Sequence, residues 1–245
     1  MKRLFDLILA SVGLIMLFPI FVPVLFLVWI QDYKNPFYIA DRVGLNNKTF
    51  KMIKIRSMVI NADKSGVQST SNDDSRITYI GKFIRKFKLD ELSQLINVIL
   101  GDMSFVGPRP NVIEEVNLYS LEEKKLLTVR PGITDFSSIV FSDEGSILEG
   151  ADDPDLKYNQ LIRPGKGYLG LFYVENSNLI LDIKLIIITG IAILSKDKAL
   201  KYTSGLIKKY EGDENLIKLA ERKDKLVPMP PPGMDKVVVS RKIDD

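Results

Sequence analysis

From Leu7 to Ile30 the chain runs 24 residues without a charged side chain, with Lys2 and Arg3 before the run and Asp32 and Lys34 after it. A helix needs about 20 apolar residues to cross a hydrocarbon core of roughly 30 Å, so this run is long enough to enter a membrane. It exceeds the ~7–15 apolar residues of a secretory signal, and no A-x-A-like cleavage site follows, so the segment is expected to stay attached. Pro19 and Pro23 lie in its middle. Each removes a backbone donor and crowds the preceding turn, which predicts a kink near Phe18. Positive-inside reasoning keeps Lys2 and Arg3 in the cytoplasm. Two topologies stay open on these residues: a straight anchor that exports everything after Ile30, and a re-entrant helix, kinked at the prolines, that keeps both ends cytoplasmic.

Two absences narrow the chemistry. With no cysteine and no histidine, thiolate catalysis, zinc ribbons and imidazole bases are excluded. Catalysis falls to carboxylates, hydroxyls, Lys, Arg or a hard cation held by oxygen. Lys+Arg of 34 against Asp+Glu of 31 gives a net charge of +3, too balanced for nucleic acid to be a partner on charge alone. The length of 245 residues fits one domain with appendages. The expected divisions are a membrane helix over 1–33, a catalytic domain over 34–194, and a helical extension with a proline-containing tail over 195–245.

After the apolar run, Asn35 to Met58 alternates short apolar stretches with turn residues, which predicts a hairpin turning at Gly44 to Lys48. Asn61 to Ser75 is rich in turn formers and poor in apolar residues, which predicts a mobile surface loop, either a lid or a plain excursion. Tyr79 to Leu100 has amphipathic helical spacing, with Lys82, Arg85, Lys86 and Lys88 in its first half. That basic and aromatic face suits anionic lipid headgroups, and equally a solvated core helix; the apolar run upstream favours the interface. A helix is expected over Leu118–Leu127. Another spans Asn178–Leu194, whose run LIIITGIAIL is too short to cross a bilayer; it reads as a core helix or as a second interfacial element, and the favoured reading is a helix lying partly in the membrane. Pro228, Pro230, Pro231 and Pro232 predict an extended spacer. The closing VVVSRKIDD offers either a strand to another sheet edge or subunit, which makes a homodimer a candidate, or a disordered tail. The fold class expected is α+β, mostly helical: a re-entrant membrane helix, a small cytosolic catalytic domain, and interfacial amphipathic helices.

Chemistry concentrates in three places. Lys88-Leu89-Asp90-Glu91-Leu92 puts adjacent carboxylates at the start of an apolar helical stretch, behind Arg85. Adjacent acids at a helix start usually act as caps or dipole partners. They converge on one ligand only at a helix end or distortion, which is where these two lie. Gly107-Pro108-Arg109-Pro110 stiffens the backbone around a guanidinium, a group suited to bidentate phosphate binding. Lys54 and Arg56 share a face if their segment is extended. Together these residues describe a carboxylate nucleophile or base, a second carboxylate for a hard cation, and several cations for a pyrophosphate. Magnesium fits such a set, since it takes one or two carboxylates plus substrate phosphates.

An ordered series of motifs then resembles one family, the monotopic phosphoglycosyl transferases among the bacterial sugar transferases, over roughly residues 2 to 190. It begins with Lys2-Arg3-x-x-Asp6 and the proline-broken apolar run, and continues through Asp41-Arg42-Val43-Gly44, the Lys54–Met58 segment and Arg76-Ile77-x-x-Ile80-Gly81-x-x-Ile84-Arg85. Leu89-Asp90-Glu91-Leu92-x-Gln94-Leu95-x-Asn97-Val98 follows, then Gly101-Asp102-Met103-Ser104-x-Val106-Gly107-Pro108-Arg109-Pro110 and Arg130-Pro131-Gly132-Ile133-Thr134, with Asp182 and Thr189 fitting the C-terminal helix.

The resemblance implies a re-entrant helix at the bacterial cytoplasmic membrane, a cytoplasm-facing active site, and magnesium. It implies transfer of a phosphosugar from a UDP-sugar to undecaprenyl phosphate with release of UMP, the first membrane step of polysaccharide or glycoconjugate synthesis. Asp90 would carry the phosphosugar covalently, and Glu91 would hold metal or activate the acceptor. Lys54, Arg56, Arg85, Arg109 and Arg130 are the expected phosphate and carrier contacts. One departure stands out: many relatives follow the PGIT motif with a Gly-Trp-containing stretch and a phosphate-binding Arg, where this chain reads Asp135-Phe136-Ser137-Ser138-Ile139. That Arg role is therefore assigned to no residue. The competing reading from another class is a non-catalytic membrane scaffold that binds polyprenyl phosphate or anionic lipid.

Overall fold

The computed structural model describes residues 1–67 and 69–239. The apolar run folds as one helix, α1 (Lys2–Ile30), that passes through both Pro19 and Pro23. A stripe of Asp6, Ala10, Phe21, Val24 and Val28 is buried along it, with Leu14 and Leu17 packed between. This stripe keeps helical phase past both prolines, so the kink expected near Phe18 does not divide the helix. The opposite face is apolar and exposed, including Ile8, Val12, Ile15, Phe18, Val22, Phe26 and Trp29. Only 17% of the helix's most apolar window is buried, so α1 is not the core helix of a water-soluble protein.

Both ends of α1 are tied to the same body. At the start, Arg3 donates to the carbonyls of Val98 (2.5 Å) and Ile99 (2.9 Å), while Asp6 accepts from Ser104 Oγ (2.9 Å) and the Phe105 N–H (3.2 Å). Lys2 reaches Asp182, the Tyr173 hydroxyl and the Val106 carbonyl. At the far end, the Arg56 guanidinium grips both oxygens of Asp32 at 2.6 and 2.7 Å.

The expected hairpin is present: β1 (Phe37–Val43) pairs antiparallel with β2 (Thr49–Ile55), Tyr38 opposite Lys54 and Arg42 opposite Phe50. The helical stretch after it is broken into α2 (Tyr79–Lys86), a 3-10 turn (Leu89–Glu91) and α3 (Gln94–Leu100). The break falls at Lys88, which adopts a left-handed conformation (φ 53°). A second small sheet pairs β3 (Ser104–Val106) in parallel with β4 (Gly132–Thr134). Beyond β3 come α4 (Ile113–Asn117) and a 3-10 segment (Glu123–Thr128). No α-helix covers the expected Leu118–Leu127: residues 118–122 are turn and irregular backbone, and the rest is the 3-10 segment, which carries the buried Glu123 paired with Arg163 at 2.8 Å.

The larger core is helical. α5 (Phe136–Val140), α8 (Arg163–Asn176), α9 (Leu179–Leu194), α10 (Lys196–Lys209) and α11 (Glu214–Glu221) surround Phe136, Leu169, Tyr173, Leu181, Leu185, Ile207 and Leu216, with α6 (Glu144–Leu148) and α7 (Pro154–Leu161) at its edge. The helices beyond residue 195 share this core.

The polar loop over 61–75 bonds to its surroundings: Arg76 donates to the carbonyls of Ala62, Val67 and Ser69, Asp155 accepts from the Ser69 N–H, and the Asn72 N–H bonds the Gly145 carbonyl. The proline segment is no free spacer. Pro231 and Pro232 are buried, the Pro232 carbonyl accepts from Ser120 Oγ at 2.5 Å, and Gln160 bonds the Val238 carbonyl at 2.9 Å. Of the closing strand expected in VVVSRKIDD, residues 240–245 lie outside the described residues.

Candidate active site

Two short structures bring the charged residues together. The 3-10 turn presents Asp90 and Glu91 side by side, the distortion that adjacent acids need to face one ligand. Opposite it, the strand alternation of the hairpin puts Tyr38, Arg42 and Lys54 on one face, with Met52 of that face buried against α3.

Arg109 arrives from the third side. Gly107 and Gly132 cross so closely that a Cβ on Gly132 would stand 2.1 Å from the Gly107 nitrogen, a contact only glycine allows. From that crossing Pro108-Arg109-Pro110 turns toward the dyad. The Arg109 guanidinium bonds the Ile133 carbonyl and both Glu91 oxygens, at 2.5 and 3.3 Å. The Asn111 carbonyl accepts from the Val43 N–H (2.9 Å), which fastens this segment to β1 next to Arg42.

The two carboxylates are treated oppositely. Burial pushes the Glu91 carboxyl up, but Arg109, Lys54 and Lys88 outweigh it and hold it at about 2. Burial also pushes Asp90 up, and here the net direction stays upward: Lys54, Arg85 and Arg109 draw it down while Glu91 adds repulsion. Asp90 accepts no side-chain hydrogen bond among the described residues, whereas Glu91 is occupied by Arg109. Desolvation lowers Lys54, against the pull of both carboxylates, and lowers Arg42 as well. One carboxylate is therefore pinned and charged, and its neighbour is open and more basic than an ordinary aspartate.

The expected site residues fall into two groups. Asp90, Glu91, Lys54, Arg85 and Arg109 act electrostatically on one another. Arg56 is engaged with Asp32, the Asn35 carbonyl (2.8 Å) and the Val28 carbonyl (3.5 Å), where it caps the end of α1. Arg130 is exposed and donates from Nε to the Gly101 carbonyl (3.0 Å) at the end of α3. Arg42 and Tyr38 were not foreseen as site residues. The signal was available, since both stand at even spacing on the strand facing Lys54.

For magnesium, the donor set is the open Asp90 carboxylate and the shared Glu91 carboxylate; no third acidic side chain joins them among the described residues. That matches a cation held by one or two carboxylates, with substrate phosphates and water completing its shell.

A family model described as bacterial sugar transferase matches residues 1–196. The chain belongs to the bacterial sugar transferase family. Among the relatives of this sugar transferase, an "Exopolysaccharide production protein ExoY" of Sinorhizobium fredii is 41% identical over 148 residues, 54% of this chain and 66% of that protein. A "UDP-N-acetylgalactosamine-undecaprenyl-phosphate N-acetylgalactosaminephosphotransferase" of Aeromonas hydrophila is 30% identical over 197 residues, 79% of this chain and 44% of that one. An "Undecaprenyl-phosphate galactose phosphotransferase" of Salmonella typhimurium is 33% identical over 214 residues, 81% of this chain and 41% of that one. The matched part of this sugar transferase thus spans from under half to about two thirds of these relatives' own length.

Proposed function

We propose that the protein transfers a phosphosugar from a UDP-sugar to undecaprenyl phosphate at the cytoplasmic face of the bacterial membrane. The observation that carries this reading is the open, half-buried Asp90 carboxylate beside a Glu91 that Arg109 holds ionised. The names of the Aeromonas and Salmonella relatives support the acceptor and the sugar-phosphate chemistry.

In the first half-reaction an Asp90 oxygen attacks the sugar-proximal phosphorus. A P–O bond forms to Asp90, the P–O bond to UMP breaks, and UMP leaves with the electron pair. In the second, a phosphate oxygen of undecaprenyl phosphate attacks the same phosphorus, the bond to Asp90 breaks, and the carboxylate is restored. With neither His nor Cys in the chain, a carboxylate is the nucleophile best suited to such a transfer. Lys54, Arg42 and Arg109 supply positive charge where the pyrophosphate would lie, and Arg85 approaches Asp90 from α2. Phosphoryl transfer depends mainly on such positioning and charge neutralisation. Asp90 and Glu91 would hold magnesium, which when bound neutralises phosphate charge.

We further propose that both ends of α1 stay on the cytoplasmic side, with its exposed apolar face in lipid: Arg3 and Asp6 at one end and Arg56 at the other bind it to one body, and the buried stripe between them packs on that body. The outer residues Tyr79 and Phe83 of α2 with Phe87 just after it, and Ile183 and Ile187 of α9, would lie at the same interface.

The deciding experiment is UMP release from a panel of UDP-sugars by the full chain in lipid nanodiscs with undecaprenyl phosphate and magnesium, beside Asp90→Asn. Sugar-selective UMP formation, lost by at least about a thousandfold in Asp90→Asn, is expected. No UMP from any donor, with intact binding of undecaprenyl phosphate, would turn the protein into a scaffold.

A further inference from the structure

A two-stranded sheet leaves β2 with one unpaired edge, and a buried edge must find partners for its N–H and C=O groups. Here α3 and the turn before it supply them from side chains. Asn97 donates from Nδ2 to the Lys51 carbonyl (2.7 Å) and accepts at Oδ1 from the Ile53 N–H (2.9 Å), as a neighbouring strand's peptide would. Ser93 Oγ donates toward the Ile53 carbonyl (3.0 Å) and lies 3.3 Å from the Asp90 carbonyl. Both side chains are fully buried. Ile53 therefore has both backbone groups held by the segment that carries Asp90 and Glu91, and the next residue along the strand is Lys54.

We propose that Ser93 and Asn97 are positioning residues of the transferase, which lock β2 to the Asp90 turn so that the Lys54 ammonium stays against the carboxylate dyad. The proposal rests on the transfer reading above only for its kinetic readout. Without the grip, β2 would slide or tilt on α3. The cation facing Asp90 would then be misplaced, while the surfaces that bind the rest of the donor would be left alone. Misplacement of a reacting group by about 1 Å is enough to cost roughly a hundredfold in rate.

The test uses the full chain in nanodiscs and two measurements. In steady state, Asn97→Ala and Ser93→Ala should lower kcat per folded molecule by about 10–100-fold and leave the KM for the UDP-sugar within about twofold. The second measurement needs no turnover. Because the chain has no cysteine, Lys54→Cys with Asp90→Cys introduces a unique thiol pair whose crosslinking by a short bismaleimide can be timed. Adding Asn97→Ala should slow that crosslinking at least about fivefold. Unchanged crosslinking in a folded Asn97→Ala background would overturn the positioning role, as would an unchanged kcat in an enzyme that turns over. If Asn97→Ala does not fold, Ser93→Ala, which removes one bond, carries both measurements. Absence of turnover in the unmodified chain would sink the transfer reading and leave the crosslinking comparison to decide this one.

Discussion

At the residue scale, the adjacent acids Asp90 and Glu91 differ because only one has a guanidinium. Arg109 takes both Glu91 oxygens, and burial without such a partner raises Asp90. Since the nucleophile must be ionised, the acid limb of kcat against pH should lie above the ordinary carboxylate range near 3.8. A limb at or below that value would separate Asp90 from the rate-limiting chemistry. Glu91 has the opposite sign: its folded value of about 2 lies below the usual 4.5. It therefore contributes stability above 4.5 that is lost as pH falls toward 2, and Glu91→Gln should flatten that part of the stability profile in acid denaturation. Arg56 sits nine-tenths buried against Asp32. Arg56→Ala should cost about 1–3 kcal/mol of stability, and a normal melting transition with lost donor binding would return Arg56 to the phosphate site.

At the element scale, the hairpin, the broken helix and the Gly107–Gly132 crossing each deliver one side of the site. Arg42 comes with β1, beside Asn111. Arg42→Ala should raise the KM for the UDP-sugar about tenfold or more with little change in melting temperature, because its guanidinium makes only one hydrogen bond, to the Asp41 carbonyl, among the described residues. A large stability loss with unchanged KM would make it structural. On the proposed placement, the docking of α1 and not its prolines decides the topology. Pro19→Ala with Pro23→Ala should leave the C-terminus cytoplasmic in a reporter-fusion assay, since the buried stripe and the contacts at both ends remain. A periplasmic reporter would show that the prolines, and not the docking, set the topology.

At the scale of the whole molecule, the segment after α11 closes over α7, α8 and the Glu123 region. Truncation after Leu226 removes the buried Pro231 and Pro232 together with the Ser120 and Gln160 bonds. The melting temperature should fall by roughly 4–8 °C, the shift expected for about 2 kcal/mol in a protein of this size. An unchanged melting curve would reduce the strap to a passenger.

Much of this was legible in the sequence because the signals are local. The uncharged run from Leu7, the turn residues at Gly44–Lys48, and the acid pair ahead of an apolar helix each depend on residues near one another in the chain. Membership of the sugar transferase family could be read the same way, from the ordered motifs. What only the tertiary structure decided depends on residues far apart. Arg109 reaches Glu91 across 18 positions and Arg56 reaches Asp32 across 24. Asn97 fills the edge of a strand more than 40 residues upstream. No spacing rule assigns one arginine to a carboxylate dyad and its near neighbour to a helix end. The sequence alone determined which charges were available; the packing of α1, the hairpin and α3 against one another decided which of them meet, because an ion pair forms only where the buried backbone holds its partners within reach.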